Sequence, residues 1–304
     1  MKSIFDQRRE RGGGTREAGP DRATVLSISS HVVRGAVGNR AVVFALESLG
    51  HQVWSVPTIT LPWHPGHGAG TQIVPDDTAF EAVCRDLAGS PFALEIEAVI
   101  TGYFASKAQV EASAGLIAAL RRTNPDLVYC LDPVLGDEGR LYRPPEVLAA
   151  IRESLMPLAN LATPNRFELE FLTGLGAHDN GDLIDAARTL GCPQVLVTSA
   201  FAMLSGSIGN LLVGERSAEL AEHRLIANGP NGGGDLTAAL YLARLLEGQS
   251  PEKALRLATA SVFEIVARTA RTGHNEMALQ KEAASLSHPM AMVQMRTLAG
   301  AKKR

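Results

Sequence analysis

The sequence predicts an α/β fold with a central, mostly parallel sheet between two layers of helices and an antiparallel hairpin at one edge. Two observations support this prediction. From residue 24 onward, short β-branched runs alternate with longer helical patterns, and strands separated by helices form parallel sheets. No internal repeat and no clear linker interrupts the alternation. We therefore expect one domain over residues 24–290.

The composition is that of a globular protein and excludes several classes of function. Of the 304 residues 45% are hydrophobic, and the net charge of −3 provides no basic footprint for nucleic acid. No uninterrupted apolar run is long enough to span a bilayer. The three cysteines form no Cys-x-x-Cys pair, which favours reduced thiols and a cytoplasmic protein.

The two ends of the chain differ from the rest. Residues 1–23 are charged and glycine-rich without a hydrophobic period, and they lack the apolar core of a signal peptide. We expect a disordered tail there, or an early start codon. Residues 291–304 are assigned to a C-terminal tail.

The first half alternates strands with helices. Strands are predicted at 24–29, 52–56 and 98–101, and helices at 39–49, 77–87 and 106–122. Gly50 ends the first helix, and Ser106 with Gln109 has capping-box spacing at the start of the third. Residues 61–70 are rich in Pro, His and Gly. This segment is too irregular for a simple turn, and we interpret it as a lid or binding loop.

The second half continues the pattern. Strands are predicted at 127–131, 161–163 and 194–198, and a helix at 165–173 that Gly174 closes. Pro144-Pro145 suits the start of another helix. Residues 203–213 are interpreted as an edge hairpin around Ser205-Gly206. After a glycine-rich loop the chain is predicted to be mostly helical to about residue 271.

Several polar side chains follow predicted strands. They are Asp132, the corner from Thr163 to Asn165, Thr198, and the loop 231–235. In parallel α/β sheets, ligands bind beyond the carboxyl ends of the strands. We therefore expect these residues to gather at one edge of the sheet.

The loop Asn231-Gly232-Gly233-Gly234-Asp235 runs directly into a helical pattern. Consecutive glycines let several backbone N–H groups approach an anion, and the helix aims its positive dipole end at the same point. A carboxylate beside such a site suits a base that deprotonates a hydroxyl attacking a phosphate. The alternative is that Asp235 is only an N-cap and the glycines only a flexible turn.

Two further carboxylates have both a chemical and a structural interpretation. Asp132, followed by Pro133, could hold magnesium or its waters, or it could start an Asp-Pro turn. Asn165 and Glu168 lie three residues apart on one helix face. Glu168 could order water on magnesium, or the two residues could simply close the helix start as a capping box.

Two segments could bind a polar, flat substrate. Ser30 follows the first strand, and Gly35 and Gly38 permit close approach of the chain to a ligand; the alternative is an ordinary loop with a capping Asn39. The segment Trp63-His64-Pro65-Gly66-His67-Gly68 contains two histidines. Two histidines without further ligands make a poor metal site, so an aromatic and imidazole lid, or a surface loop, fits better.

Other catalytic motifs are absent from the sequence. It contains no P-loop, no G-x-S-x-G elbow and no H-E-x-x-H. The glycines of the 231–235 loop also lack the third glycine of a dinucleotide fingerprint and lie late in the chain.

The combination resembles the ribokinase-like superfamily, and within it the pyridoxal kinases. The superfamily pattern of N-x-x-E followed by G-x-G-D corresponds to Asn165–Glu168 and Gly232–Asp235. The pyridoxal kinase likeness rests on Ser30-His31-Val32-Val33 with Gly35 and Gly38-Asn39, on Gly102-Tyr103, on Asp132-Pro133-Val134-Leu135-Gly136-Asp137 and on Thr163-Pro164-Asn165. It covers residues 24–290.

The resemblance implies a three-layer kinase that moves the γ-phosphoryl of ATP to the 5′-hydroxyl of pyridoxal. It implies that Asp235 is the base and that Gly232, Gly233 and Gly234 stabilise the transferring group. Asp132 and Glu168 would serve Mg²⁺ and the nucleotide. It further implies a homodimer, with K⁺ as an additional activating ion.

The resemblance also divides the remaining site residues between the two substrates. On the ATP side it places Thr163, Asn165 and Thr198, together with Asp132, Glu168, Gly232 and Gly234. On the pyridoxal side it places Ser30, the flap residues His64, Pro65 and Gly66, and Tyr103.

One departure from the family pattern leaves rival functions open. The family commonly has Thr where this chain has Gly233, which predicts reduced affinity or rate. The rivals are a hydroxymethylpyrimidine kinase of the same superfamily and a non-catalytic protein that binds vitamin B6.

Overall fold

The computed structural model describes residues 4–5, 22–137 and 139–299, and its elements follow the predicted alternation. The first half contains β1 (Thr24–Val32), α1 (Asn39–Ser48), β2 (Gln52–Leu61), α2 (Asp77–Gly89), β3 (Ile96–Thr101), α3 (Lys107–Thr123) and β4 (Val128–Leu131). Short 3-10 turns lie at Pro65–His67 and Ala93–Glu95.

The second half begins with a small two-stranded sheet. It contains β5 (Gly136–Asp137), β6 (Arg140–Leu141), α4 (Pro145–Ala150), β7 (Leu161–Ala162), α5 (Arg166–Thr173), α6 (Asn180–Thr189), β8 (Gln194–Ala200), β9 (Ser207–Gly214), β10 (Ala218–Arg224), α7 (Gly233–Leu246), α8 (Pro251–Arg271), α9 (Ala283–Ser287) and β11 (Gln294–Ala299). A π-turn at Ile151–Leu155 and a 3-10 turn at Met156–Leu158 follow α4.

Nine strands form the main sheet in the order β11-β10-β9-β8-β7-β4-β3-β1-β2. Within this sheet, neighbouring strands are parallel along β2-β1-β3-β4-β7-β8. The remaining neighbours, along β8-β9-β10-β11, are antiparallel. The carboxyl ends of β1, β3, β4, β7 and β8 therefore share one edge, as the sequence predicts.

The core covers both faces of this sheet. One buried cluster packs α1, α7 and α8 against it, and a second packs α2, α3 and α4 against the other face. All residues of α7 from Leu236 to Leu245 are buried. A helix that is buried all round lies inside the protein, so the N-terminus of α7 has a fixed position.

The predicted hairpin at 203–213 is partly wrong. A turn around Ser205-Gly206 does connect antiparallel strands, but its first arm is β8, which reaches Ala200. The second antiparallel turn lies between β9 and β10, because Ala218–Arg224 pairs along its whole length with β9. Helix α6 was not predicted.

The predicted tails also need correction. Residues 294–299 form β11 and pair with β10, and Arg296 Nε lies 2.7 Å from the buried carboxylate of Glu222. This ion pair attaches the segment to the sheet. Most of 1–23 lies outside the described residues, but Phe5 is buried in the core, which a disordered tail does not predict. Within the described ranges, no helix combines the length and apolar character needed to cross a membrane.

Candidate active site

The anion loop, residues 231–235, ends in the first turn of α7. Gly232 is the N-cap of α7, with φ of 94°, in the region that favours glycine. A Cβ there would lie only 2.3 Å from the carbonyl oxygen of Ala36. At Gly233, in contrast, the nearest atom to a Cβ would be Val262 Cγ1 at 4.0 Å. The loop therefore requires glycine at Gly232 but not at Gly233.

Asp235 lies in the first turn of α7 rather than at its cap, because Gly232 holds the cap position. Its interpretation as an N-cap is therefore wrong. Burial raises the pKa of Asp235 to about 6, while a hydrogen bond from the backbone N–H of Gly38 opposes the rise. This bond joins the carboxylate to the loop that follows β1.

Asp132 lies directly after β4 and is 7% exposed. Burial raises the pKa of Asp132 well above its usual range, the negative charges of Glu168 and Asp235 raise it further, and the Thr163 hydroxyl opposes them. The structure thus brings together three carboxylates that are far apart in the sequence. Such a cluster favours a cation or a proton among its members.

Glu168 adopts the capping-box geometry with Asn165. Its Oε2 accepts the backbone N–H of Asn165 at 2.8 Å, and its Oε1 accepts that of Leu135 at 2.8 Å and, more weakly, that of Gly136 at 3.4 Å. Burial raises the pKa of Glu168 to about 7 against these hydrogen bonds. The capping interpretation is correct, and the same carboxylate also fixes the loop that follows Asp132.

Unusual backbone conformations mark the same edge of the sheet. The non-glycine residues with positive φ among those described are Val134, Ser199 and Asn228. Val134 is in the loop after Asp132, Ser199 follows Thr198, and Asn228 precedes the anion loop. For a β-branched residue such as Val134 this is an outlier, and each such residue costs about 1–3 kcal/mol. Such strain clusters at functional sites.

Thr163, Asn165 and Thr198 form one corner of the site. The Thr198 backbone N–H donates to Pro164 O at 2.9 Å, and Asn165 and Thr198 form a parallel bridge. The Asn165 side chain also donates to Gly136 O at 2.9 Å. The predicted corner therefore exists, and it connects the ends of β7 and β8 to the Asp132 loop.

Ser30 and Tyr103 lie near the end of β1, close to the loop whose Gly38 N–H donates to Asp235. Ser30 is buried, and a Cβ at Gly38 would lie 2.4 Å from its Oγ. Tyr103 donates its backbone N–H to Ser29 Oγ at 3.2 Å. The guanidinium of Arg143 lies 4.5 Å from the centroid of the Tyr103 ring. Sequence analysis missed Arg143, because no motif relates it to Tyr103.

Asn39 is not the N-cap that the sequence suggested, since Gly38 holds that position. The Asn39 side chain is buried and donates to Ser29 O at 3.0 Å and Val56 O at 3.3 Å. It therefore joins α1 to β1 and β2 just below the site.

The flap, residues 61–70, folds against the anion loop. His64 Nδ1 accepts the backbone N–H of Gly66 at 3.1 Å and starts the turn Pro65–His67. A Cβ at Gly66 would lie 3.5 Å from Asn231 Nδ2. Of the flap residues named by the sequence, Gly66 thus lies beside Asn231 of the anion loop. In the part of the chain that the structure describes, no group of three or more His, Cys, Asp or Glu side chains is arranged to hold a metal.

An amide-lined anion site with a carboxylate at its edge suits the transfer of a phosphoryl group to a hydroxyl. The fold that holds it is that of the ribokinase-like small-molecule kinases. The family model for phosphomethylpyrimidine kinase matches residues 77–280.

Curated relatives extend this match over nearly the whole chain. Pyridoxal kinase PdxY of Rubrobacter xylanophilus is 36% identical over 284 residues, which cover 90% of this chain and 97% of the relative. The pyridoxine/pyridoxal/pyridoxamine kinase of Bordetella bronchiseptica is 38% identical, with 84% and 92% covered. The pyridoxal kinase of Leishmania donovani, solved with ADP and pyridoxamine, superposes with a TM-score of 0.85 at 29% identity, covering 90% and 99%. The chain belongs to the pyridoxal kinase family.

Proposed function

We propose that this protein transfers the γ-phosphoryl group of ATP to the 5′-hydroxyl of pyridoxal, giving pyridoxal 5′-phosphate and ADP. The observation that carries the proposal is the position of Asp235. Its carboxylate lies at the N-terminus of the buried helix α7 and accepts a hydrogen bond from Gly38. It therefore lies between an anion site and the loop that would hold the acceptor.

In this mechanism Asp235 takes the proton of the 5′-hydroxyl as its oxygen attacks the γ-phosphorus. The bond between the γ-phosphorus and its bridging oxygen breaks, and ADP leaves with that oxygen. The backbone N–H groups of Gly233 and Gly234 and the dipole of α7 stabilise the charge on the transferring group. General base catalysis of this kind contributes about 10²–10⁴-fold.

Because the described residues offer no preformed group of three metal ligands, a divalent cation would bind at one carboxylate together with waters and substrate phosphates. Mg²⁺ is usually bound by one or two carboxylates together with waters and substrate phosphates, and Asp132 is buried next to two other negative charges. Both oxygens of Glu168 already accept backbone N–H groups, so Asp132 is the better direct ligand of the cation. Glu168 instead holds the loop that follows Asp132 in place. When bound, Mg²⁺ neutralises charge on the phosphate oxygens.

The remaining assignments divide between two substrates. Thr163, Asn165 and Thr198 would contact ATP phosphates or ribose from their corner. A cavity of about 480 Å³ lies between α8 and the chain that leads from β10 to the anion loop, lined in part by Arg224, Ile226 and Phe263. We assign it to the nucleotide base.

Pyridoxal would lie on the opposite side of Asp235. Ser30 would bind its ring substituents, Tyr103 would line the pocket, and His64, Pro65 and Gly66 would cover it. The family resemblance extends the proposal to K⁺ as an activating ion and to a homodimer, and the unpaired cysteines support a cytoplasmic location.

The proposal is tested with Mg²⁺, ATP and an equimolar mixture of pyridoxal, pyridoxine, pyridoxamine and hydroxymethylpyrimidine, with products identified by mass spectrometry. Phosphorylated pyridoxal is expected, and Asp235→Asn should reduce its formation about 10²–10⁴-fold while ATP binding persists. Phosphorylated pyrimidine alone would assign the protein to the rival kinase. A folded protein that binds pyridoxal without any product would be a non-catalytic vitamin-binding protein.

A further inference from the structure

Two segments around the pocket meet at one carboxylate, that of Glu276, which follows α8. Its side chain is only 12% exposed, and its Oε1 lies 2.7 Å from His67 Nε2 in the flap. The same oxygen lies 3.4 Å from Arg34 Nη1. The other oxygen, Oε2, accepts the backbone N–H of Ala36 at 3.3 Å. One side chain thus connects the flap to the loop that follows β1.

The backbone around Glu276 also contacts the anion loop. Glu276 and Asn231 form a parallel bridge, and a Cβ at Gly232 would lie 2.8 Å from Met277 Cε. At Gly35 a Cβ would lie 2.7 Å from Glu276 Oε2. The backbone of the β1 loop therefore approaches the Glu276 carboxylate as closely as a glycine allows. The relative positions of flap, β1 loop and anion loop therefore depend on this segment.

We propose that Glu276 is a positioning residue that latches the flap, through His67, onto the β1 loop beside the anion loop and so orders the pyridoxal pocket. The identity of the substrate rests on the proposed function, whereas the latch itself does not. Glu276 reaches the reaction centre only through these loops. Its loss should lower the fraction of molecules with an ordered pocket, and apparent affinity falls with that fraction.

Two variants break the same contact from opposite sides. Glu276→Gln keeps the side-chain volume and removes the charge, and His67→Asn acts from the flap, where the His67 side chain is 21% exposed. We expect either change to raise the KM for pyridoxal about 3–10-fold, as for loss of one ordinary hydrogen bond. The KM for ATP and kcat should change by less than about twofold. The double variant should resemble Glu276→Gln, because that change already removes the charged partner of His67.

Glu247→Gln is the matched control. The Glu247 side chain is also 12% exposed and forms an ion pair, 2.9 Å from Arg244 Nη1, but it follows α7 at the end opposite the anion loop. The KM of Glu247→Gln for pyridoxal should equal that of the wild type. Hydrogen exchange of residues 62–70 without any substrate should be faster in Glu276→Gln and His67→Asn than in wild type or control.

The exchange measurement separates the latch from the substrate assignment. If the wild type phosphorylates a different alcohol, the proposed function fails while faster flap exchange in the two variants still supports the latch. Unchanged flap exchange in both variants overturns the latch. The latch is also overturned if the two substitutions raise the KM for the acceptor additively in the double variant. A fall in kcat with an unchanged KM for the acceptor overturns it as well.

Discussion

Adjacent glycines of the anion loop are under opposite constraints. Gly232 combines φ of 94° with a position where a Cβ would lie 2.3 Å from Ala36 O. Gly233 begins α7 and leaves a Cβ 4.0 Å from its nearest neighbour. The threonine that the family commonly has at this position would therefore fit. The glycine found here adds conformational freedom to the unfolded chain without providing a contact.

This contrast predicts opposite effects of substitution. Gly232→Ala should destabilise the protein by about 1–3 kcal/mol through backbone strain and lower kcat/KM for ATP, because the β1 loop must move. Gly233→Thr should stabilise it by about 0.4–1 kcal/mol and raise kcat/KM for ATP. Urea unfolding and steady-state kinetics measure both. A destabilised Gly233→Thr protein would contradict the steric argument.

Among the elements, α5 has a second role beyond its own stability. Its capping box places Glu168 so that the carboxylate accepts N–H groups from the loop after β4 as well as from Asn165. The strained Val134 lies in that loop, with φ of 45°. A helix start thereby fixes the position of Asp132, and the N-x-x-E motif is explained by this geometry.

Glu168→Gln should loosen that loop. A glutamine offers one acceptor oxygen and turns an amide toward backbone N–H donors, and each buried donor left unpaired costs about 1–3 kcal/mol. We expect faster hydrogen exchange at residues 132–137 and a higher Mg²⁺ concentration for half-maximal activity. Glu170→Gln, on the same helix, is the control. An unchanged Mg²⁺ titration in Glu168→Gln would remove Glu168 from this role.

The elements also show what the sequence could and could not predict. Apolar runs such as 128–131 and glycine signals such as Gly174, which has φ of 71°, placed strands and helix ends correctly. Strand β10 was missed because Glu219, Glu222 and Arg224 interrupt its apolar residues, which resembles a solvated loop. The site motifs follow strands, so their gathering was predictable. The contacts of Glu276 could not be predicted from the sequence, because its partners His67 and Ala36 are 209 and 240 residues away along the chain.

At the scale of the whole molecule, the antiparallel end of the sheet depends on one buried carboxylate. The Glu222 side chain, on β10, is fully buried and lies 2.7 Å from Arg296 Nε on the edge strand β11. It also accepts the backbone N–H groups of Met203 and Leu204, before β9. Burial alone would raise the pKa of Glu222, but these hydrogen bonds and the Arg296 charge outweigh it and lower the pKa.

A lowered pKa in the folded state means that Glu222 binds protons more weakly there than in the unfolded chain. Its contribution to stability is therefore complete above the unfolded value, about 4.3 for glutamate, and is lost as the pH falls through the lower folded value. Glu222→Gln should destabilise the protein by about 1–3 kcal/mol at pH 7. The difference in unfolding free energy between wild type and Glu222→Gln should shrink as the pH falls below about 4, because Glu222 of the wild type then loses its charge. Urea midpoints between neutral and acidic pH measure this, with Glu215→Gln, an exposed carboxylate between β9 and β10, as the control. A deficit independent of pH would show that Glu222 stabilises the edge by packing rather than by its charge.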